Sequence, residues 1–467
     1  MISIKKFISA VLVVTMIITV LAGCKNSSVD KDEQSQPPEN NVSENTEKTI
    51  LTLATFNLDS MIQNRVSFFN STNTNYYIEV VDYSQFTGET VIDLSEYGSN
   101  FDYYSGLIAL NTEIITGKIP DIIDLSMLPY YQYVSRGLLE DIYPYIESDS
   151  SLSRNDLVNG AFQAAEIDGK LYQLFPSFSI STIAGNPYIL GSGTGWNLQE
   201  LRAVIDNHPN ADLPVGIGYT ATKTEFLRHI ISNSIDEYID WNNSTVSFDS
   251  NNFIEALEFV AEFFPTEPIM GDDTNAPPIL IASGRQIMEV MNIHNLRDYR
   301  YNKAMFGGDI VFKGYPGSSG VHNSVTGITG LGITTTAKDK DGAWLFLRTL
   351  LDEEYQLNLY TGFPTNSNAL ETYIENWKRD SKETEIIDDP ATGEVWFELQ
   401  PITQDDIDIF LALIDSMSVT TGSTVLDNRF WNIIYESAED YFKGQRTAHE
   451  VAEIVQNRTS RYVSEHS

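Results

Sequence analysis

Gly117-Lys118-Ile119-Pro120-Asp121-Ile122-Ile123-Asp124-Leu125 is the stretch on which the fold class turns. Glycine and proline mark a turn, and the short apolar run after them reads as a buried strand. Upstream, Leu107 to Ile115 repeats apolar residues at helical spacing, and Tyr77 to Tyr83 alternates as a strand does. Before that, Ile50-Leu51-Thr52-Leu53-Ala54-Thr55 alternates and ends at Phe56-Asn57, after which Met61 to Phe69 turns helical. Strand, helix, strand, helix, strand is the grammar of a parallel sheet covered by helices on both faces. Residues 84 to 106 interrupt it and read as an inserted loop.

Downstream, Gly169-Lys170-Leu171-Tyr172-Gln173-Leu174-Phe175-Pro176 reads as a turn into another strand. Asn197, with Glu200 three residues on, has the spacing of a capping box, and so has Thr222 with Glu225. Amphipathic helices are expected over Asn251 to Phe264, Gly342 to Leu359, Asp427 to Phe442 and Ala448 to Tyr462. No internal repeat of about 20 to 50 residues is visible.

The N-terminal end has the layout of an export signal: Lys5 and Lys6, an apolar run from Phe7 to Ala22, then Gly23 and Cys24. The run is shorter than the about 20 apolar residues a spanning helix needs. Leu21-Ala22-Gly23-Cys24 resembles a bacterial lipobox, so residues 1–23 are expected to be a lipoprotein signal peptide and Cys24 the lipidated first residue of the mature protein. Each buried methylene adds ~0.8 kcal/mol, so two or three acyl chains would hold the protein durably on the cell membrane, facing outside. Residues 24–49 are almost devoid of apolar side chains and read as a flexible tether. Cys24 is the only cysteine, which leaves no internal disulfide and no cysteine-ligated zinc or iron.

The formal charge of −36 would repel nucleic acid, and the aromatic residues do not lie in basic stripes. It argues more weakly against an anionic ligand, and it also suits a tethered surface protein that must stay soluble. Six scattered histidines give no metal spacing, and no G-x-S-x-G, H-E-x-x-H or phosphate loop is present. Close carboxylate pairs such as Asp272-Asp273 and Asp405-Asp406 are expected by chance among 65 acidic residues. These features point away from an enzyme, and no cofactor is expected.

Several segments together resemble the extracellular solute-binding proteins of ABC importers, specifically the carbohydrate-type family 1 group that contains maltose-binding protein. Gly117 to Ile123 matches G-K-x-P-D-I-I, and Gly137-Leu138-Leu139-Glu140-Asp141-Ile142-Tyr143-Pro144-Tyr145-Ile146 matches G-L-L-x-D-L-x-P-Y-I. Gly169 to Pro176, Gly195 to Glu200, Gly330 to Ile333 with Asp341 to Leu347, and Gly362-Phe363-Pro364 follow in the family's order. Tyr441 to Thr447 and Ile454 to Arg458 fit its last two helices. Residues 84 to 106 and 371 to 400 match poorly.

The resemblance implies an α/β, two-lobed periplasmic-binding-protein-like fold with a hinge and an interlobe ligand cleft. Residue matching gives a first lobe of 50–178 plus 290–340 and a second of 179–289 plus 341–463. It also implies a small-molecule ligand, expected to be a saccharide, partnership with ABC permease subunits, and a monomer.

Sugars need planar polar partners for their hydroxyls and aromatic rings for their C–H faces. Phe56, Asn57 and Asp59 follow the first strand, where an open α/β sheet has its crevice. Phe56 reads as a cleft or a core ring, and Asn57 and Asp59 as contacts or helix caps. Asp124 and Ser126 end the Ile122-Ile123 strand, with Tyr130 and Tyr131 just beyond. Tyr219 ends the strand begun at Val215, Trp241 stands beside Asn242 and Asn243, and His294 falls where the resemblance places a stacking tryptophan. Phe430-Trp431 matches the family's Phe-Trp pair, which makes Trp431 the foremost candidate for lying against a sugar, with packing of the penultimate helix as its other reading. Trp196 and Trp344 sit inside fold motifs and are expected in the core. The competing readings are a binder of peptides, polyamines or another cation on the same fold, a sensor partner, and a secreted glycosidase.

Overall fold

In the computed structural model the described residues are 48–56, 59–85, 101–126, 128, 130–217, 221–241, 243–267, 276–318, 323–390, 392–420 and 428–466. They belong to one compact unit, Glu47–Ser467. The expected signal peptide, Cys24 and the expected tether as far as residue 47 lie outside the described residues, while Thr49, the last residue of that tether, opens the first strand.

The chain begins β1 (Thr49–Thr55), α1 (Ser60–Thr72), β2 (Tyr76–Asp82), α2 (Phe101–Ile115), β3 (Ile122–Asp124) and α3 (Tyr130–Ser135). It continues β4 (Ser177–Gly185), α4 (Leu198–Asp206), β5 (Val215–Gly216), α5 (Lys223–Asn233), β6 (Ile239–Asp240), β7 (Thr245–Val246), α6 (Asn251–Phe263), β8 (Met288–Ile293) and α7 (Leu296–Met305). Next come β9 (Val311–Phe312), β10 (Asn323–Ile328), β11 (Leu331–Ile333), α8 (Lys340–Leu347), β12 (Phe363–Pro364) and α9 (Ser367–Asp380). The last elements are β13 (Glu385–Asp388), β14 (Val395–Leu399), α10 (Gln404–Asp415), β15 (Met417–Thr420), α11 (Asn428–Phe442) and α12 (Ala448–His466).

Two sheets organise these elements into the expected α/β architecture. The first has the order β11-β3-β1-β2, with β1 parallel to both β2 and β3 and β11 antiparallel to β3. The second has the order β15-β10-β4-β8-β5, with β9 and β12 also pairing with β4. Alternation along its strands sends opposite faces into different cores. Phe178, Ile180, Ala184, Met291, Ile293, Phe312 and Val325 join a core that includes Phe363 and Phe410 and runs on to Leu51, Leu53 and Ile122 of the first sheet. Ile183, Met288, Val290 and Val311 join a separate core with Phe226, Phe253, Phe259, Phe430, Trp431 and Tyr462.

The end of β8, then β9 and β10, are strands of the second sheet, and through Met291, Ile293, Phe312 and Val325 they share the core of the first. After Asp341, α8 and the turns following it pack on the first sheet's helices. Phe346 meets Phe69 edge to face at 5.4 Å, Trp344 lies 5.9 Å from Tyr145, and Arg65 on α1 pairs with Asp352. The amphipathic pattern of α8 says that it must bury one face, not which sheet receives it.

Asn197 and Glu200 form a reciprocal capping box, each accepting a backbone N–H at 2.9 Å, and Thr222 with Glu225 forms another. The expected loop over 84 to 106 is helical from Phe101 onward, and within that helix Gly106 serves a close approach. A Cβ there would stand 2.1 Å from the carbonyl oxygen of Tyr83. The strand expected from Lys170 begins only at Ser177, and the helix expected from Gly342 to Leu359 breaks at Asp352, whose extended backbone starts a new turn at Glu353.

Gly362, at φ +82°, turns the chain into β12 against Phe178 and Ser177 of β4. A side chain there would meet Ile328, Ser177 and the Phe178 carbonyl at 3.0 Å or less. Gly362→Ala is therefore expected to cost more than about 1 kcal/mol, read from the shift in urea midpoint.

Candidate functional site

The C-terminal edge of the parallel strands of the first sheet is where a crevice belongs, and β1 and β3 both end there. Asp124, at the end of β3, is buried. Its Oδ2 accepts the Thr55 hydroxyl at 2.9 Å, and its Oδ1 accepts the Ser126 N–H at 3.0 Å and hydroxyl at 2.6 Å. Ser126 Oγ in turn accepts the N–H of Gly330 at 3.2 Å, just before β11. Thr55, Asp124 and Ser126 thus form a polar knot tying β1, β3 and β11 together, and their oxygens are already engaged. Phe56 is buried with its ring 5.9 Å from Tyr83, among Ala54, Leu110 and Leu125, so it is a core ring. Asp59 caps α1 by accepting the Met61 N–H at 2.7 Å. Asn57 and Tyr219 lie outside the described residues.

Past this edge, α3 presents consecutive residues to different neighbours. Tyr130 is buried in the first body's core and donates to the Ala165 carbonyl at 3.3 Å. Tyr131 packs on the core of the second body, where its ring stacks with Trp241 at 6.4 Å between centroids and 13° between planes. Burial, aided by the nearby charge of Asp236, pushes its phenol above the ordinary range. Gln132 Nε2 donates to the hydroxyl of Tyr462 on α12 at 2.8 Å. The two bodies therefore touch directly through α3.

On the second body, Trp241 is 8 % exposed and its indole N–H has no acceptor. Trp431 is 4 % exposed, with the Phe430 ring edge-on at 5.4 Å, Tyr435 stacked at 5.8 Å and the Arg228 guanidinium carbon 5.4 Å from its ring. Its indole N–H also lacks an acceptor. Protein side chains thus occupy the surroundings of its ring, and the edge bearing the N–H is the part with unmet bonding capacity.

Between Trp431 and β4 lies a polar group that the sequence reading did not assemble. The face of β4 that carries Ile183 into the second core carries buried Ser177, Ser179 and Ser181 before it. The Ser181 hydroxyl bonds the buried Tyr315 hydroxyl at 2.8 Å, and His229 on α5 stacks on Tyr315 at 5.6 Å and 3°. Burial and the adjacent Arg228 push the imidazole down to about 4, so it is neutral at physiological pH. The alternation of serines in Ser177-Phe178-Ser179-Ile180-Ser181 was the available signal. Hydroxyls on one face of a buried strand need polar partners.

His294 stands apart from these groups. Its side chain is exposed, its N–H donates to Asp298 at 2.9 Å and its carbonyl accepts the Gly362 N–H at 3.1 Å. Phe363 is fully buried against Phe178 and Phe410. Trp196 and Trp344 are buried as expected. A hollow of about 660 Å³ on the outer side of α4 and α6, lined by Gln199, Arg202, Glu255, Glu258 and Tyr441, includes none of the candidate residues. Among the described residues no three or more His, Cys, Asp or Glu side chains converge as a metal site, and no helix is long and apolar enough to cross a membrane.

A family model described as bacterial extracellular solute-binding protein matches residues 99–384. No curated protein sequence matches the chain. Among solved structures, the sugar-binding protein MalE from Xanthomonas citri is similar at 13% identity over 89% of this chain and 98% of that one, with a TM-score of 0.55. The family 1 extracellular solute-binding protein from Alicyclobacillus acidocaldarius is similar at 13% identity over 90% and 99%, with a TM-score of 0.52. The cyclic alpha-maltosyl-1,6-maltose binding protein from Arthrobacter globiformis is similar at 14% identity over 90% and 100%, with a TM-score of 0.51. At these identities the likeness is one of fold.

Proposed function

This chain belongs to the bacterial extracellular solute-binding protein family, and from that membership we propose that it captures a sugar or oligosaccharide between its two α/β bodies and delivers it to an ABC permease. The observation that carries the sugar reading is the aromatic and donor-rich character of the surfaces that meet. Tyr131 and Trp241 face each other across the bodies, and Trp241 buries an indole N–H without an acceptor. A buried donor left unmet costs about 1–3 kcal/mol, and a ligand hydroxyl or ring oxygen relieves that cost. Aromatic faces next to such donors suit the two-sided chemistry of a pyranose. A ligand held by both bodies favours whichever arrangement makes both sets of contacts, so its differential affinity drives closure. Two solved structures of the same fold whose printed names give a cargo, a sugar in one and cyclic alpha-maltosyl-1,6-maltose in the other, support the same class.

A lipid on Cys24 would hold the protein at the outer face of the membrane, with residues 24–49 as the tether between anchor and folded unit. Binding without catalysis is the reading we favour: Asp124 already accepts from three local donors, and the described candidate residues offer no pair of free carboxylates of the kind glycoside hydrolysis uses.

A thermal-shift screen of Glu47–Ser467 against mono- and oligosaccharides, amino acids, peptides and polyamines tests the proposal. A saccharide at about 100 times its Kd is expected to stabilise the fold by about 2.7 kcal/mol and to be recovered intact. Stabilisation by polyamines or peptides alone would discard the sugar and keep the binder.

A further inference from the structure

We propose that Tyr131 and Gln132 form a built-in clasp with Trp241 and Tyr462 that holds the mouth of the cleft shut without ligand and restricts the site to short saccharides enclosed whole. The size restriction rests on the saccharide reading; the clasp does not. Three observations meet at α3. Its first residue, Tyr130, is anchored in the core of the first body, so the helix moves with that body. Its second, Tyr131, is packed on the core of the other body and stacked on Trp241. Its third, Gln132, is buried and hydrogen-bonded at 2.8 Å to Tyr462, whose ring sits in that same second core beside Phe430. One short helix thus places an aromatic ring on Trp241 and an amide on Tyr462, the latter 330 residues away in sequence.

These contacts are made directly between protein groups of the two bodies. Stacked aromatic pairs contribute about 0.5–1.5 kcal/mol beyond burial, enough to shift a closed-to-open ratio by roughly two- to tenfold. At 6.4 Å between centroids the two rings leave no room for a pyranose to slide between them, so a ligand must lie inside the clasp or break it. A long oligosaccharide whose end protrudes past α3 loses the clasp, and a short one keeps it.

The test uses the cysteine-free unit Glu47–Ser467 with Arg136→Cys and Asn457→Cys, exposed positions on the two bodies, spin-labelled for interbody distance measurement without ligand. The clasp predicts one dominant short distance, which Tyr131→Ala converts to a longer or broader distribution. Tyr462→Phe, which keeps the ring and removes the hydroxyl to which Gln132 donates, is expected to shift it in the same direction by less. Identical distributions with and without Tyr131 would overturn the clasp. In the same unit, calorimetry with maltose and maltohexaose reads the size restriction. The unsubstituted chain is expected to bind maltose more tightly than maltohexaose, with Tyr131→Ala narrowing the gap. Equal binding of both sugars by the unsubstituted chain would overturn the restriction, whereas binding of neither beside a Tyr131-dependent distance would sink the saccharide reading and leave the clasp standing.

Discussion

Trp431→Ala is expected to destabilise the protein by about 3–5 kcal/mol, because the side chain is 4 % exposed inside the second core and its removal leaves a cavity between α5 and α11. Phe430 loses its edge-on partner, Tyr435 its stacking partner and Arg228 the ring beneath it. An exposed ligand platform would behave differently, with affinity lost and stability kept. Urea denaturation of the variant separates the two, and a loss below about 1 kcal/mol would contradict the core placement. Trp431→Phe keeps most of the packing and deletes the indole N–H. If that N–H serves the ligand, affinity falls in this variant while the denaturation midpoint changes much less.

Asp406→Ala is expected to cost a similar about 3–5 kcal/mol. Asp406 is the third residue of α10 and closes a capping box with Thr403, while its Oδ1 accepts Lys303 Nζ at 2.6 Å and the Tyr299 hydroxyl at 2.9 Å. Removing it strands a phenol in the core and an ammonium at its edge. The same cluster sets a pH dependence. Burial alone would raise the carboxyl of Asp406, but Lys303, Thr403 and Tyr299 outweigh it and hold the group below the ordinary carboxylate value. A group depressed on folding stabilises the protein above its unfolded value and loses that contribution as pH falls through the folded one. The gap in stability between the parent and Asp406→Ala is therefore widest at neutral pH and narrows below the ordinary carboxylate range. A gap that stays constant from neutral to strongly acidic pH would contradict the arrangement.

The alternating α/β grammar was legible because β1 and β2 alternate and β3 is a short apolar run after a glycine and proline turn, and the capping boxes at Asn197 and Thr222 because four residues suffice to specify them. Core partnership was not, since α8 and the region from β8 to β10 have the same amphipathic signature whichever sheet receives them. Among the candidate residues, chemistry common to caps and ligand contacts explains the ambiguity. Asp59 and Asp124 are acceptors of the right kind, and local N–H and hydroxyl donors claim them. Tyr131 could be noted beyond β3 but not chosen over Tyr130, because nothing in the pair Tyr130-Tyr131 says which ring turns inward. The fold decides it by giving Tyr130 the first core and Tyr131 the second.

The proposed function requires a saccharide to be held intact between the two bodies, behind the Tyr131–Trp241 stack. Calorimetric titration of Glu47–Ser467 and of its Trp241→Ala variant, with the saccharide giving the largest thermal shift and with circular dichroism as the check on folding, tests it most directly. The prediction is one site, sugar recovered unchanged, and affinity weakened by more than about tenfold in the folded variant. Unaltered affinity in a folded Trp241→Ala protein, or a sugar returned cleaved, would contradict it.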